Sequence, residues 1–195
     1  MAIAIEDIKK LRDQTGAGMM KAKEALEASK GDYDKAVLWL REKGEATAAK
    51  KSDREARAGS IEGYVHSGRI GVLVEVNCET DFVARTDDFK TFARDIAMHV
   101  AATNPEYLNP EAVPAEVVER EKAIYRKEVE GKPAEIIEKI VDGKLAKYYE
   151  QVCLVNQPFV KDPDITVGKL TTNLVAKLGE NIVIRRYSRM ELGTL

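Results

Sequence analysis

The spacing of apolar residues changes period near residue 59, and that change divides the chain. Over the first stretch they recur every three or four positions: Ile5, Ile8 and Leu11, then Ala22, Ala25 and Leu26, then Tyr33, Ala36, Val37 and Leu40. This spacing lines one face of a helix and predicts three short amphipathic helices. Thr15-Gly16-Ala17-Gly18 ends the first, and Ser29-Lys30-Gly31-Asp32 separates the second from the third, with Asp32 placed as an N-cap. From Gly59 the alternation falls to every second residue. Residues 59–66, a turn at Ser67-Gly68-Arg69, and residues 70–76 predict a β-hairpin, and 181–187 predict a last strand.

Between the strands lie helical patterns: Phe89, Phe92, Ala93, Ile96 and Val100; then Pro114 to about Glu130; then Ile136, Ile137, Ile140, Val141, Leu145 and Tyr148; and Val167, Leu170, Leu174 and Leu178 before Gly179. The second and third of these read as a helical hairpin over about 114–150, joined at Gly131-Lys132-Pro133. The run Asn156-Gln157-Pro158-Phe159-Val160-Lys161-Asp162 reads as an ordered loop, because its proline blocks helix. Strands at both ends with helices between them predict an α+β fold. Its expected core is a small antiparallel three-stranded sheet covered by helices on one face. The domain reading is a three-helix module over 1–44, a linker over 45–58, and an α+β core over 59–195 that includes the helical hairpin. Residues 46–58 carry Lys50, Lys51, Arg54 and Arg57 without an apolar face, so the linker, helical or not, lets the first module sit apart.

Charge and cysteine usage exclude several functions. With 31 Lys+Arg against 33 Asp+Glu, the chain lacks the basic excess of a protein that coats nucleic acid. No run approaches the roughly 20 apolar residues of a membrane span. The start, Met1 to Asp7, lacks the features of a secretory signal, so a cytoplasmic protein with reduced thiols at Cys78 and Cys153 is expected. His66 and His99 have no ligand-like neighbours at zinc spacing, and neither a metal nor a cofactor is expected. Gly16-Ala17-Gly18 follows a helix rather than a strand and lacks the third glycine of a dinucleotide fingerprint.

Two strings carry the functional reading. Met19-Met20 opens the second helix, where the thioethers either plug the small core or form an adaptable contact patch, with Arg12 near the same end. Glu79-Thr80-Asp81-Phe82-Val83-Ala84-Arg85 lies where strand gives way to helix, with Thr80 as N-cap. Composition alone favours Phe82 in the core. The exposed alternative is an aromatic wedge flanked by the Asp81 charge. Cys78, Glu79 and Asp81 offer a nucleophile and bases, but no histidine is placed beside them by sequence, so no catalytic residue is assigned and no enzyme is expected.

Four separated strings then coincide with one family. Residues 11–20 (Leu11 to Met20), 75–84 (Glu75 to Ala84), 157–162 with Thr166-Val167-Gly168, and 186–193 (Arg186 to Gly193) resemble elongation factor Ts in order and spacing over essentially the whole length. The length is similar to the short bacterial form with a single core repeat. The resemblance implies a guanine-nucleotide exchange factor for elongation factor Tu, promoting GDP release during translation elongation, with no direct contact to nucleic acid or membrane. It implies a ubiquitin-associated-like N-terminal module that grips the GTPase domain, with Arg12, Gly16, Gly18, Met19 and Met20 as its partner-binding residues. It also implies an exchange wedge at Thr80, Asp81, Phe82 and Val83, where Asp81-Phe82 intrudes near the magnesium and phosphate site. Residues 187–195 hold no cysteine, so the disulfide-linked dimer of some short relatives is not available, while a non-covalent homodimer through the sheet stays open. The competing function is an adaptor that uses the three helices to bind ubiquitin-like or nascent-chain partners.

Overall fold

In the N-terminal module, burial follows the helical stripes. The computed structural model describes residues 3–131 and 133–194, so Met1, Ala2, Leu195 and the Lys132 of the expected hairpin connection lie outside the described residues. Helices α1 (Ile5–Thr15), α2 (Met19–Ala28) and α3 (Tyr33–Lys51) bury Ile8 and Leu11, Ala22, Ala25 and Leu26, and Ala36 in one small core. Ile3, Tyr33, Val37, Trp39 and Leu40 pack on its margin. Gly16 closes α1 in the left-handed region at φ 68°, its N–H donating to Arg12 O at 2.8 Å, the conformation that glycine adopts without a Cβ penalty. Asp32 caps α3, accepting from Lys35 N at 3.1 Å, and the Tyr33 hydroxyl donates to Gln14 on α1 at 2.6 Å.

The third helix does not stop at Gly44. It continues to Lys51, so half of the stretch read as linker is helical. Nor does the module hang from that stretch alone. Lys21 Nζ donates to Ala176 O at 2.9 Å and Lys51 Nζ donates to Gly179 O, both at the C-terminal end of α8 (Val167–Leu178).

The sheet is three-stranded and antiparallel, in the order β1 (Ala58–His66), β2 (Ile70–Cys78), β5 (Val183–Glu191). The hairpin turns through Ser67 and Gly68, both at positive φ, and the Arg69 N–H closes the turn by donating to His66 O at 2.9 Å, a twist that suits the flanking strands. Val72, Val74 and Val76 on the central strand are buried, and α5 (Asp87–Thr103) buries Phe89, Phe92, Ala93, Ile96, Ala97 and Val100. A sheet face and a helix stripe are thereby withdrawn from water, as the α+β reading expected. At Gly59 a Cβ would stand 2.1 Å from Val76 O, so only glycine lets β1 approach β2 there. β5 starts and ends later than the 181–187 expected.

Helices α6 (Ala115–Glu128) and α7 (Ala134–Val152) form the expected hairpin, paired across by Arg126 to Glu138 at 2.9 and 3.1 Å and by Lys144 to Glu128. The loop expected at 156–162 is instead the start of a small second sheet. There β3 (Pro158–Phe159) pairs antiparallel with β4 (Asp162–Thr166), and the register shifts between Pro158 and Phe159. Phe159 is buried beside His99, ring centroids 6.0 Å apart.

Two compact units share these elements. One comprises the chain to Glu62 with Val74–Arg94 and Thr171–Arg185; the other comprises Gly63–Leu73, Asp95–Leu170 and the chain from Arg186. The first holds the N-terminal helices, the end of β2 and the C-terminal half of α8, which includes every residue singled out as partner-binding. Among the described residues no helix is long and apolar enough to cross a membrane.

Candidate functional site

The sharpest feature of the first unit is a phenylalanine left in water. Helix α4 (Asp81–Ala84) is a single turn between the end of β2 and α5. Thr80 caps it, its Oγ1 accepting from Val83 N at 3.5 Å, and Ala84 is buried. Residues two apart on a helix point about 200° from one another, so seating Ala84 inward turns Phe82 outward. Its side chain is 78% exposed. Burying such a ring is worth about 1.5–3 kcal/mol, which the free protein forgoes. Asp81 beside it forms an exposed ion pair with Arg85 at 2.6 Å, and Val83 is half-buried. The structure therefore takes the exposed alternative for Phe82 rather than the core placement that composition favours.

A clasp of two carboxylates holds the tip from below. Glu180 Oε2 accepts from the backbone N–H of Glu79 at 3.1 Å and of Thr80 at 3.0 Å, while its Oε1 accepts from the Thr80 hydroxyl at 2.7 Å. In return Glu79 Oε1 accepts from Asn181 N at 2.7 Å, and its other oxygen faces Arg54 at 3.4 Å. The Asn181 N–H, with Arg54 adding to it, holds the Glu79 carboxyl below its ordinary range. Asn181 is buried and donates to Ser52 O and Arg54 O at 3.2 and 2.7 Å. Sequence reasoning singled out neither Glu180 nor Asn181, because their partners lie about a hundred positions away.

Cys78 at the strand end is fully buried, and its thiol donates to Thr80 O at 3.1 Å. Burial, then the Glu180 carboxylate, push its pKa up to about 11, which opposes the thiolate a nucleophile needs. His99 is equally buried and its hydrogen bonds are filled: Val160 N–H donates to Nδ1 at 3.2 Å, and Nε2 pairs with Gln157 Oε1 at 2.9 Å.

At the α1–α2 turn, Met20 is 77% exposed and Met19 partly so, which places them outside the small core. Gly18 is the N-cap of α2, and Arg12, its side chain part-exposed, pairs with its neighbour Asp13 at 2.6 Å. A Cβ on Gly16 would lie 3.8 Å from Lys177 Cδ on α8, and Lys177 Nζ bonds Asp88 at the start of α5 at 2.7 Å. The methionine patch and the aromatic tip thus belong to one compact unit, each tied to the C-terminal end of α8 and the residues just after it.

The family profile described as Elongation factor TS matches residues 5–173. The chain is 56% identical to elongation factor Ts of Syntrophus aciditrophicus over 99% of its own length and 98% of that protein. It is 58% identical to elongation factor Ts of Carboxydothermus hydrogenoformans, over 98% of its length and 89% of the relative, and 55% identical to that of Herpetosiphon aurantiacus, over 100% of both. With a profile match across most of its length and close similarity to full-length relatives, the chain belongs to the elongation factor Ts family of translation elongation factors.

Proposed function

We propose that the protein promotes GDP release from elongation factor Tu by intruding Phe82 and Asp81 between elements that hold the nucleotide's magnesium and phosphates. The observation that carries this reading is the exposed Phe82 ring on a capped, clasped turn. A ring kept in water by its own fold is a group that gains on burial in a partner, the character of an interface anchor. Asp81 is available to such a partner, because a surface ion pair such as that with Arg85 is worth no more than about 1 kcal/mol.

Exchange is a coupling between two ligands: factor and nucleotide each weaken the other's hold on the GTPase by one shared factor. Burial of Phe82 supplies about 1.5–3 kcal/mol, roughly a hundredfold at most, so a second contact must offset the distortion it imposes. The exposed Met20, with Met19, Arg12, Gly16 and Gly18, supplies that contact in this reading. A thioether patch repacks readily against a partner helix.

The test is stopped-flow release of a fluorescent GDP analogue from elongation factor Tu. Phe82→Ala is expected to lower the release rate at saturating factor by up to roughly a hundredfold while weakening complex formation little. Met20→Ala is expected to do the reverse. Equal, small effects of both substitutions would remove the wedge from the account.

A further inference from the structure

We infer that Glu180 is the positioning residue of the wedge: its carboxylate, fixed just past the end of α8, sets the orientation in which Phe82 leaves the surface. This rests on the wedge reading proposed above. Helix α4 has four residues, too few to hold itself, since the first turn of any helix fixes several dihedrals for one hydrogen bond. Its C-terminal end is held by buried Ala84 and by the Thr86 hydroxyl, which donates to Val83 O at 2.8 Å, and its N-terminal end by the Thr80 cap and by whatever holds Thr80. A threonine hydroxyl has one hydrogen and two lone pairs. The hydrogen is committed to Glu180 Oε1 at 2.7 Å, which leaves a lone pair for the Val83 N–H. The other carboxylate oxygen takes the N–H groups of both Glu79 and Thr80. One side chain thus fixes the backbone entering the turn and the rotamer that caps it.

Glu180 can do this because its own backbone is mounted from two directions. Gly179 ends α8 in the left-handed region at φ 76°, its N–H donating to Val175 O at 2.9 Å and its carbonyl accepting from Lys51 Nζ. On the far side Asn181 is held by Glu79, Ser52 O and Arg54 O. A force on the Phe82 ring is therefore resisted through Thr80 and Glu180 by the α8 terminus, instead of being dissipated by fraying of a lone turn.

The experiment compares Glu180→Ala, Glu180→Gln, Phe82→Ala and the Phe82→Ala/Glu180→Ala double variant in full-length protein, by GDP-analogue release from elongation factor Tu and by amide hydrogen exchange. Glu180→Ala is expected to cut the release rate at saturating factor about tenfold, with the half-saturating concentration within about threefold of wild type. Amides of residues 83–86 should exchange about tenfold faster, while those of Val74 and Val76 stay protected. Glutamine keeps an oxygen for the two N–H groups and an amide for the Thr80 hydroxyl, so Glu180→Gln should recover most of both losses. Its rescue also covers the case in which Glu180→Ala does not fold. In the Phe82→Ala background Glu180→Ala should cost less than about twofold, because its effect runs through the ring. Losses that multiply in the double variant, or a full release rate in Glu180→Ala or a low one in Glu180→Gln beside a slow Phe82→Ala, overturn the positioning role and leave the wedge standing. A Phe82→Ala protein that promotes GDP release from elongation factor Tu at the wild-type rate overturns the wedge reading itself, and the role of Glu180 with it.

Discussion

A buried histidine has to choose a protonation state, and His99 has chosen the neutral one. The Val160 N–H can only donate, so Nδ1 accepts and Nε2 carries the proton toward Gln157 Oε1. Gln157 is itself committed, accepting from Thr103 Oγ1 at 2.8 Å and donating to Gln151 O at 2.7 Å. Protonating Nδ1 would set two donors against each other in a dry site. Burial accordingly lowers the pKa of His99 below its ordinary 6.5, with the Gln157 hydrogen bond opposing only in part. Below pH 6.5 the unfolded chain binds a proton that the folded chain refuses. The contribution of His99 is therefore complete above that pH and is lost as pH falls toward the folded pKa, at no more than about 1.4 kcal/mol per pH unit. Urea unfolding at pH 7.5 and 5.5 is expected to show a larger acid loss for wild type than for His99→Gln, whose side chain does not titrate. Parallel losses in the two proteins would show that His99 does not set the acid limb. The same residue marks where sequence legibility ends. Thr80 was readable as a cap because a cap and its turn are neighbours in the chain, whereas composition turned Phe82 inward, and the partners of His99 and Glu180 come from distant segments and leave no local trace.

At the scale of elements, periodicity located nearly every helix and the hairpin, and it failed where a local rule was overruled by packing. The sequence reading ends the three-helix module at Gly44, and glycine costs about 1 kcal/mol against alanine in a helix interior. The helix runs on through it because the missing side chain lets α3 lie against α8: a Cβ on Gly44 would meet Ala176 Cβ at 3.3 Å. Both atoms are fixed to helical backbone, so no side-chain rotation relieves the approach. Gly44→Ala is therefore expected to forfeit the roughly 1 kcal/mol that helix propensity offers, leaving stability to urea at or below wild type. A gain approaching that full value would mean that the two helices do not pack closely at this point. The β3–β4 pair escaped notice for a different reason. Pro158 and Pro163 break the alternation that announces a strand, and the ladder is only a few residues long. What fixes it is Phe159 in the core and the Val160 N–H on His99, neither of which a pattern of polarity encodes.

For the molecule as a whole, the arrangement of the first unit decides how an N-terminal grip and an aromatic tip act together. On a loose tether, the three helices would add only effective concentration, and their ordering would be charged against binding. Instead the C-terminal carbonyls of α8 and of Gly179 just past it accept from Lys21 and Lys51, cations set at the negative end of a helix dipole, and Glu180 next in the chain holds Thr80 at the base of the wedge. Contacts of this kind are worth about 0.3–1 kcal/mol each, so the pair holds the module with at most about 2 kcal/mol. Lys51 also steadies the Gly179 carbonyl beside Glu180, so Lys21, whose acceptor is Ala176 O, is the one whose removal should loosen the module without disturbing Thr80 or Phe82. Lys21→Ala is then expected to raise the half-saturating concentration for GDP release from elongation factor Tu, by no more than about fivefold, while the rate at saturation stays near wild type. Added salt should narrow the difference between the two proteins, because these exposed contacts are screened in wild type as well. The opposite pattern, a lower rate at saturation with unchanged half-saturation, would mean that Lys21 acts on the tip through the α8 terminus rather than on the placement of the module.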